Sequence, residues 1–299
     1  MAIELGIDLS WFTPEPGPQA LLAYRKAIAM LRPPFTTLWL MDHLQWEDEP
    51  LFDGWTALTH MAAEYPQYKA GHLVLSQSFR NPALLAKMAA SLQLLTGGRF
   101  ILGIGAGWKE DEYRAYGYDY PSPSVRVAQL GETLAILRAM WTESPASYHG
   151  QYYHIENAYC EPRPDPMIPI MVGTNGKKAL RVAAQYADMW NWDAPLANLA
   201  PPCETLRQHC DDLGRDSREI AITAFAKAHF PTDPAEFTPN QGTDPLMLGP
   251  TPADALAQLR PIIDFGVSHI MVRFEDFATI ERFCAEVAPA LASLPAVTG

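Results

Sequence analysis

An eight-stranded (β/α)8 TIM barrel is the α/β fold this sequence predicts. Short, almost wholly apolar runs alternate with one-sided helical segments, and there are eight such runs. Polar, aromatic and glycine residues gather at the far end of each run. Apolar runs of this kind suit parallel strands covered on both faces, and strands alternating with helices imply a parallel sheet. Such barrels routinely reach 299 residues as one domain. A doubly wound open sheet is the rival arrangement.

Residues 3–9 form the first run, and the absence of a basic stretch around it argues for a buried strand over a signal peptide. A helix at about 20–31 is closed by Pro33 and Pro34, and strands two and three fall at 37–41 and 71–75. Asn81 caps the next helix, Pro82 takes its first turn and Gly97 and Gly98 end it. Leu84, Leu85, Met88, Leu92 and Leu95 share one of its faces. Strand four is 100–104, and the helix after it carries Val127, Leu130, Leu134, Leu137 and Trp141 on one side. Residues 145–168 then break the rhythm. Tyr148 to Tyr153 reads as a hairpin, and Pro162, Pro164, Pro166 and Pro169 deny helix. This segment is an insertion at the C-terminal face of a single domain spanning 1–299. Strand five (170–172) leads to a helix at 177–187, strand six (189–191) to one at about 203–213, and strand seven (220–226) to a proline-rich loop at about 230–250. Thr251 and Asp254 open the next helix with a capping-box pattern. Strand eight is 267–272, and the last helix covers about 278–294.

Composition narrows the function. A net charge of −12 argues against nucleic acid and anionic membrane as partners, which need clustered Lys and Arg. No stretch is apolar for the length of a membrane span. Cys160, Cys203, Cys210 and Cys284 form no CxxC pair, so structural thiols in a reducing cytoplasm are expected. HxH, HExxH and clustered Cys/His patterns are missing, so no metal site is expected, and no GxSxG marks a serine nucleophile.

In a barrel the chemistry sits at the C-terminal ends of the strands. There the sequence places Asp8, Ser10 and Trp11, then Asp42 and His43, then Ser76, Gly105 to Trp108, Gly173 to Gly176, Asn191, Lys227 and Arg273. Gly173, Thr174, Asn175 and Gly176 run straight into a helix, where bare backbone N–H groups and the helix dipole suit a phosphate. A turn that simply needs glycine explains the same residues. Gly103, Gly105 and Gly107 either let a flat ring lie on the backbone or permit close packing at a barrel corner. His43 can pass protons near neutral pH, and because neighbours on a strand point opposite ways, Asp42 and His43 are expected to serve different partners. Lys227 admits a competing reading, a phosphate-handling lyase or isomerase with a Schiff-base lysine.

The order of motifs is similar to that of the luciferase-like oxidoreductases. It runs from Leu38-Trp39-Leu40-Met41-Asp42-His43 through Arg80-Asn81-Pro82-Ala83, Gly98-Arg99-Phe100, Gly103 to Trp108, Leu137 to Trp141 and Tyr148 to Tyr153, to Pro169 to Gly176 and Ala187 to Trp190. The resemblance implies a barrel binding the deazaflavin coenzyme F420, with FMN as the alternative, and hydride exchange with a small organic substrate. It implies that Asp42 touches the deazaflavin, that His43 handles a proton, and that a non-proline cis peptide at Leu73 and Val74 buttresses the ring. Ala106, Gly107 and Trp108 would lie at the ring, and Gly173 to Gly176 at the phosphate. The family's sugar-phosphate dehydrogenases carry a catalytic glutamate where this chain has Trp108, and their phosphate-binding lysines have no match here. An FMN monooxygenase and a non-catalytic coenzyme binder are the other readings. The 145–168 hairpin and the 230–250 loop are expected to close over the mouth, with a homodimer contact as the hairpin's alternative role.

Overall fold

The structure is a computed structural model that describes residues 3–11, 18–239 and 245–294. The strands are β1 (Glu4–Asp8), β2 (Phe35–Leu40), β3 (Lys69–His72), its short continuation β4 (Leu75–Ser76), β5 (Phe100–Gly105), β6 (Ala146–His149), β7 (His154–Ala158), β8 (Ile170–Gly173), β9 (Met189–Asp193), β10 (Ala221–Ala228), β11 (Leu246–Leu248) and β12 (His269–Phe274). Parallel pairing runs β12-β1-β2-β3-β5-β8-β9-β10, and β10 pairs β12 to close the ring. The predicted barrel is therefore present. The helices are α1 (Pro18–Met30), α2 (Gly54–Glu64), α3 (Pro82–Leu95), α4 (Glu110–Ala115), α5 (Pro123–Thr142), α6 (Lys177–Tyr186), α7 (Leu196–Leu213), α8 (Pro252–Asp264), α9 (Phe277–Arg282) and α10 (Ala288–Ala292). A π turn over Phe283–Val287 joins the last two.

The barrel interior is a core of its own, built from Trp39, Leu73, Ile101, Met171, Phe225 and Met271. Trp39 fits there because Gly6 and Gly71 face it. A Cβ on either would stand 2.2 and 2.3 Å from the indole. The four cysteines are free and buried, and no described helix is long and apolar enough to cross a membrane.

Four details depart from the sequence reading. In α3 the buried face is Leu85, Ala86, Ala89, Ala90, Leu92 and Gln93, while Leu84 and Leu95 are 56% and 83% exposed. Small alanines let the helix approach the barrel closely, and that outweighs the leucine stripe. Helix α7 begins seven residues before the predicted 203 and runs through Pro201 and Pro202. Helices α2 and α4, unassigned in the sequence, fill the connections after β2 and β5. The 230–250 segment is not wholly irregular, since β11 adds in parallel to the end of β10; residues 240–244 lie outside the described residues.

The hairpin is a separate antiparallel ribbon, β6 with β7. Its turn is fastened by Glu132 of α5, whose carboxylate accepts the N–H groups of Gln151, Tyr152 and Tyr153 at 2.7–3.0 Å. Tyr153 reaches the rim, where its hydroxyl donates to Gln77 at 3.1 Å.

At the opposite end of the barrel His269 is 4% exposed and accepts from Trp39 Nε1 at 3.4 Å. Burial pushes its pKa down to about 4; Glu4 opposes this and Lys69 adds to it. His72, sealed beneath the stacked Trp55 ring, is lowered well below the usual histidine range by burial and by the charge of Arg80. Both rings are therefore buried neutral, and only the unfolded chain takes up their protons below about pH 6.5. Thermal stability should be flat above that pH and fall as pH drops toward 4, by a few kcal/mol overall. A melting temperature unchanged between pH 7 and 4.5 would show that these rings do not titrate on unfolding.

Candidate active site

Asp8 and Arg273 are register partners at the ends of β1 and β12, and both face inward at the C-terminal mouth. Asp8 is fully buried and accepts from Arg273 Nε at 2.9 Å and from Ser10 Oγ at 2.6 Å. The guanidinium also lies over the Trp11 and Phe225 rings, at 5.2 and 5.1 Å. This fixes a cation at the centre of the mouth.

Beyond β2 the chain separates two neighbouring polar residues, as strand alternation requires. Asp42, 4% exposed, is held in the protein on both oxygens. Arg80 donates to them at 2.7 and 2.8 Å, and Ser76 N at 3.1 Å. His43 turns to α4 instead, with Nδ1 3.1 and 3.3 Å from the Glu112 carboxylate oxygens. Glu112 is 3% exposed and also accepts the Leu44 N–H at 3.0 Å. A carboxylate can only accept, so Nδ1 carries the proton and Nε2 is left without a partner among the described residues. Trp46 and Trp108 stand edge-on to the imidazole, at 5.0 and 5.8 Å, and Trp11 packs against Trp46 at 4.9 Å. Trp108 is 64% exposed. The result is an aromatic wall around one histidine, beside a recess of about 20 Å³ that His43 lines with Ser10, Trp11 and Met41.

The peptide between Leu73 and Val74 is cis, the one non-proline cis bond among the described residues. It lies between β3 and β4, and the Val74 methyls occupy the space that a Cβ on Gly105 or on Gly173 would need, each 3.0 Å away. A Cβ on Gly103 would strike the His72 carbonyl at 1.8 Å, and one on Gly107, at φ +78°, the Tyr113 hydroxyl at 1.8 Å. These four glycines are accounted for by the protein's own packing. Ala106 is half-buried against the core.

Gly176 differs. A Cβ there would meet nothing within 4 Å, so packing does not demand its bareness. It is the N-cap of α6, which has no side-chain cap and no acid in its first turn, and Lys177 and Lys178 follow it. Two lysines stand at the positive end of the helix dipole, with Asp193 on the groove that Lys177 lines, in a chain that is acidic overall. Thr174 is tied inward, its carbonyl accepting from Trp190 Nε1 at 2.7 Å. Asn175 and Lys177 instead line a groove of about 600 Å³ together with Trp192, Asn198, Pro201 and Thr205. This groove and His43 occupy different sectors of one rim. Lys227 lies inside β10, in register with Arg273, and not in a loop beyond the strand.

Sequence reasoning missed Arg80 as the partner of Asp42, Glu112 as the partner of His43, and the contributions of Trp11 and Trp46. It also missed the one group of described residues able to gather three metal ligands, namely His149, His154 and Glu156. Their cross-strand proximity carries no motif spacing.

The chain is a (β/α)8 barrel whose C-terminal rim carries His43, its aromatic neighbours and the uncapped start of α6. A family model described as luciferase-like monooxygenase matches residues 32–269, and the chain belongs to that family. The chain is 30% identical over 214 residues to an F420-dependent glucose-6-phosphate dehydrogenase of Kineococcus radiotolerans, covering 68% of this chain and 62% of that one. It is 32% identical over 258 residues to a phthiodiolone/phenolphthiodiolone dimycocerosates ketoreductase of Mycobacterium kansasii, covering 80% and 68%. Among solved structures, an F420-dependent secondary alcohol dehydrogenase with an F420-acetone adduct superposes with a TM-score of 0.81 over 97% of this chain and 99% of that one, at 18% identity, a likeness of fold.

Proposed function

We infer that the protein is an oxidoreductase that exchanges a hydride between coenzyme F420 and a small carbonyl or alcohol substrate with apolar surroundings. The observation that carries this reading is Gly176, a bare N-cap that internal packing does not explain, opening on a groove at an uncapped, lysine-flanked helix start. The names of F420-dependent relatives sharing 30% and 32% identity support F420 as the coenzyme. Asn175, Gly176 and Lys177 would hold its phosphate. Val74, on the non-proline cis peptide, would back its ring. When bound, the coenzyme supplies the hydride chemistry.

The chain's own residues do the rest. Glu112 fixes the His43 ring through Nδ1 and leaves Nε2 without a partner among the described residues, able to give or take the substrate's hydroxyl proton. Trp11, Trp46 and Trp108 offer an aromatic surface on which an apolar substrate could lie. Asp42 supports the rim by holding Arg80 and Ser76. The four buried free thiols support a reducing, cytoplasmic setting. A lyase using Lys227 gains no support from this family.

The test is binding followed by intrinsic tryptophan fluorescence, with F420 and FMN titrated separately. F420 should quench and saturate. Gly176→Asp, which sets a negative charge where the phosphate would lie, should weaken binding by at least about tenfold, or about 1.4 kcal/mol. Equal binding by this variant would remove the phosphate from α6, and binding of FMN alone would move the chain to flavin chemistry.

A further inference from the structure

The hairpin carries a group of side chains that the proposed oxidoreductase chemistry does not use. His149 and His154 are directly opposed in the β6–β7 register, at the last pair before the turn. Glu156 lies two residues beyond His154 on the same strand, and alternation puts it on the same face. One nitrogen from each ring and a Glu156 oxygen lie within 4.8 Å of one another. The Nε2 atoms stand 3.5 and 3.9 Å from Glu156 Oε2, and the two Nδ1 atoms are 2.9 Å apart.

These separations suit a metal. Ligands on one tetrahedral zinc ion, bound at about 2.0–2.2 Å, stand roughly 3.3–3.6 Å from each other. Small χ rotations of three exposed side chains reach that arrangement. Two imidazoles and one carboxylate favour a borderline ion such as Zn²⁺ over Mg²⁺ or Ca²⁺, which prefer oxygen shells. Without an ion the two imidazole rings stand 4.3 Å apart between centroids, joined by their Nδ1 contact.

We propose that His149, His154 and Glu156 form a surface site for Zn²⁺ or a similar transition-metal ion, with water completing the shell. The ion would pin the two strands together beside the turn that Glu132 fastens to α5 and Tyr153 ties to the rim. The site is structural, since its three ligands are exposed and none is assigned to hydride transfer.

Zinc chloride is titrated into the full chain, freed of metal by a chelator, and followed by calorimetry and by melting temperature. Wild type should take up one ion per chain and melt higher with zinc. The His149→Ala/His154→Ala variant should melt like wild type without zinc, because both side chains are exposed, and should lose uptake by at least about tenfold. Glu156→Gln should weaken it less. Proteolysis within 150–153 should slow with zinc in wild type alone. Absence of stoichiometric uptake by wild type, or equal uptake by the double variant, would overturn the site.

Discussion

Replacing His43 with alanine lowers turnover by about 100-fold or more while coenzyme affinity stays within a few-fold. The loss expected for a positioned proton-transfer group is 10²–10⁴-fold. The imidazole is held by Glu112 through Nδ1 and walled by Trp46 and Trp108, so little else beside it can substitute for it. The measurement uses reduced F420 with a panel of ketones, enones and nitro compounds, and then the wild-type and His43→Ala rates on the best substrate. Glu112→Gln keeps a hydrogen-bonding group but loses the charge and the obligatory acceptor. Its kcat should fall by about tenfold, with KM little changed, because it acts on the ring's orientation and not on substrate. Wild-type turnover in His43→Ala would leave His43 with packing alone.

The second large effect is on stability. Arg80→Ala should cost about 3–5 kcal/mol, the penalty for breaking a buried ion pair from one side. Asp42 is 4% exposed and burial already pushes its carboxyl pKa up; the Arg80 guanidinium and the Ser76 N–H oppose that push. Without Arg80 the carboxyl is either buried and unpaired or takes a proton. The Arg80 guanidinium also lies over the Trp55 ring, 5.5 Å from its centroid, and that contact is lost. Urea unfolding monitored by circular dichroism measures the change. The Arg80→Ala/Asp42→Ala double variant should be destabilised by less than the sum of the single variants. A single-variant midpoint close to wild type would mean that the pair is worth no more than a surface bridge.

The barrel was legible because strand and helix periods are local properties. Eight apolar runs, the Asn81 cap and the Thr251 capping box each announce themselves within a few residues, and the structure has all of them. The face of α3 was misread because leucine is the stronger hydrophobe by residue, whereas helix-to-barrel distance rewards alanine. The site was only half legible. His43 and the Gly173 to Gly176 turn stand at strand ends and could be found by position. Glu112 lies 69 residues from His43, and Arg80 lies 38 from Asp42; nothing in either neighbourhood marks the pairing. The glycines gave an ambiguous signal that only neighbouring atoms resolve, since Gly103 and Gly107 answer to backbone and tyrosine while Gly176 answers to neither.

The Asp8–Arg273 pair spans 265 positions of chain and sits on the seam where the first strand meets the last. In synthesis the carboxylate is made 265 residues before its guanidinium. Until then no sealed interior can enclose Asp8, because an ionised acid is not buried without its counter-charge. The ring therefore has a built-in order of assembly. Closing the ring is therefore favoured only once β12 docks, and a chain cut short before residue 273 keeps Asp8 without its counter-charge.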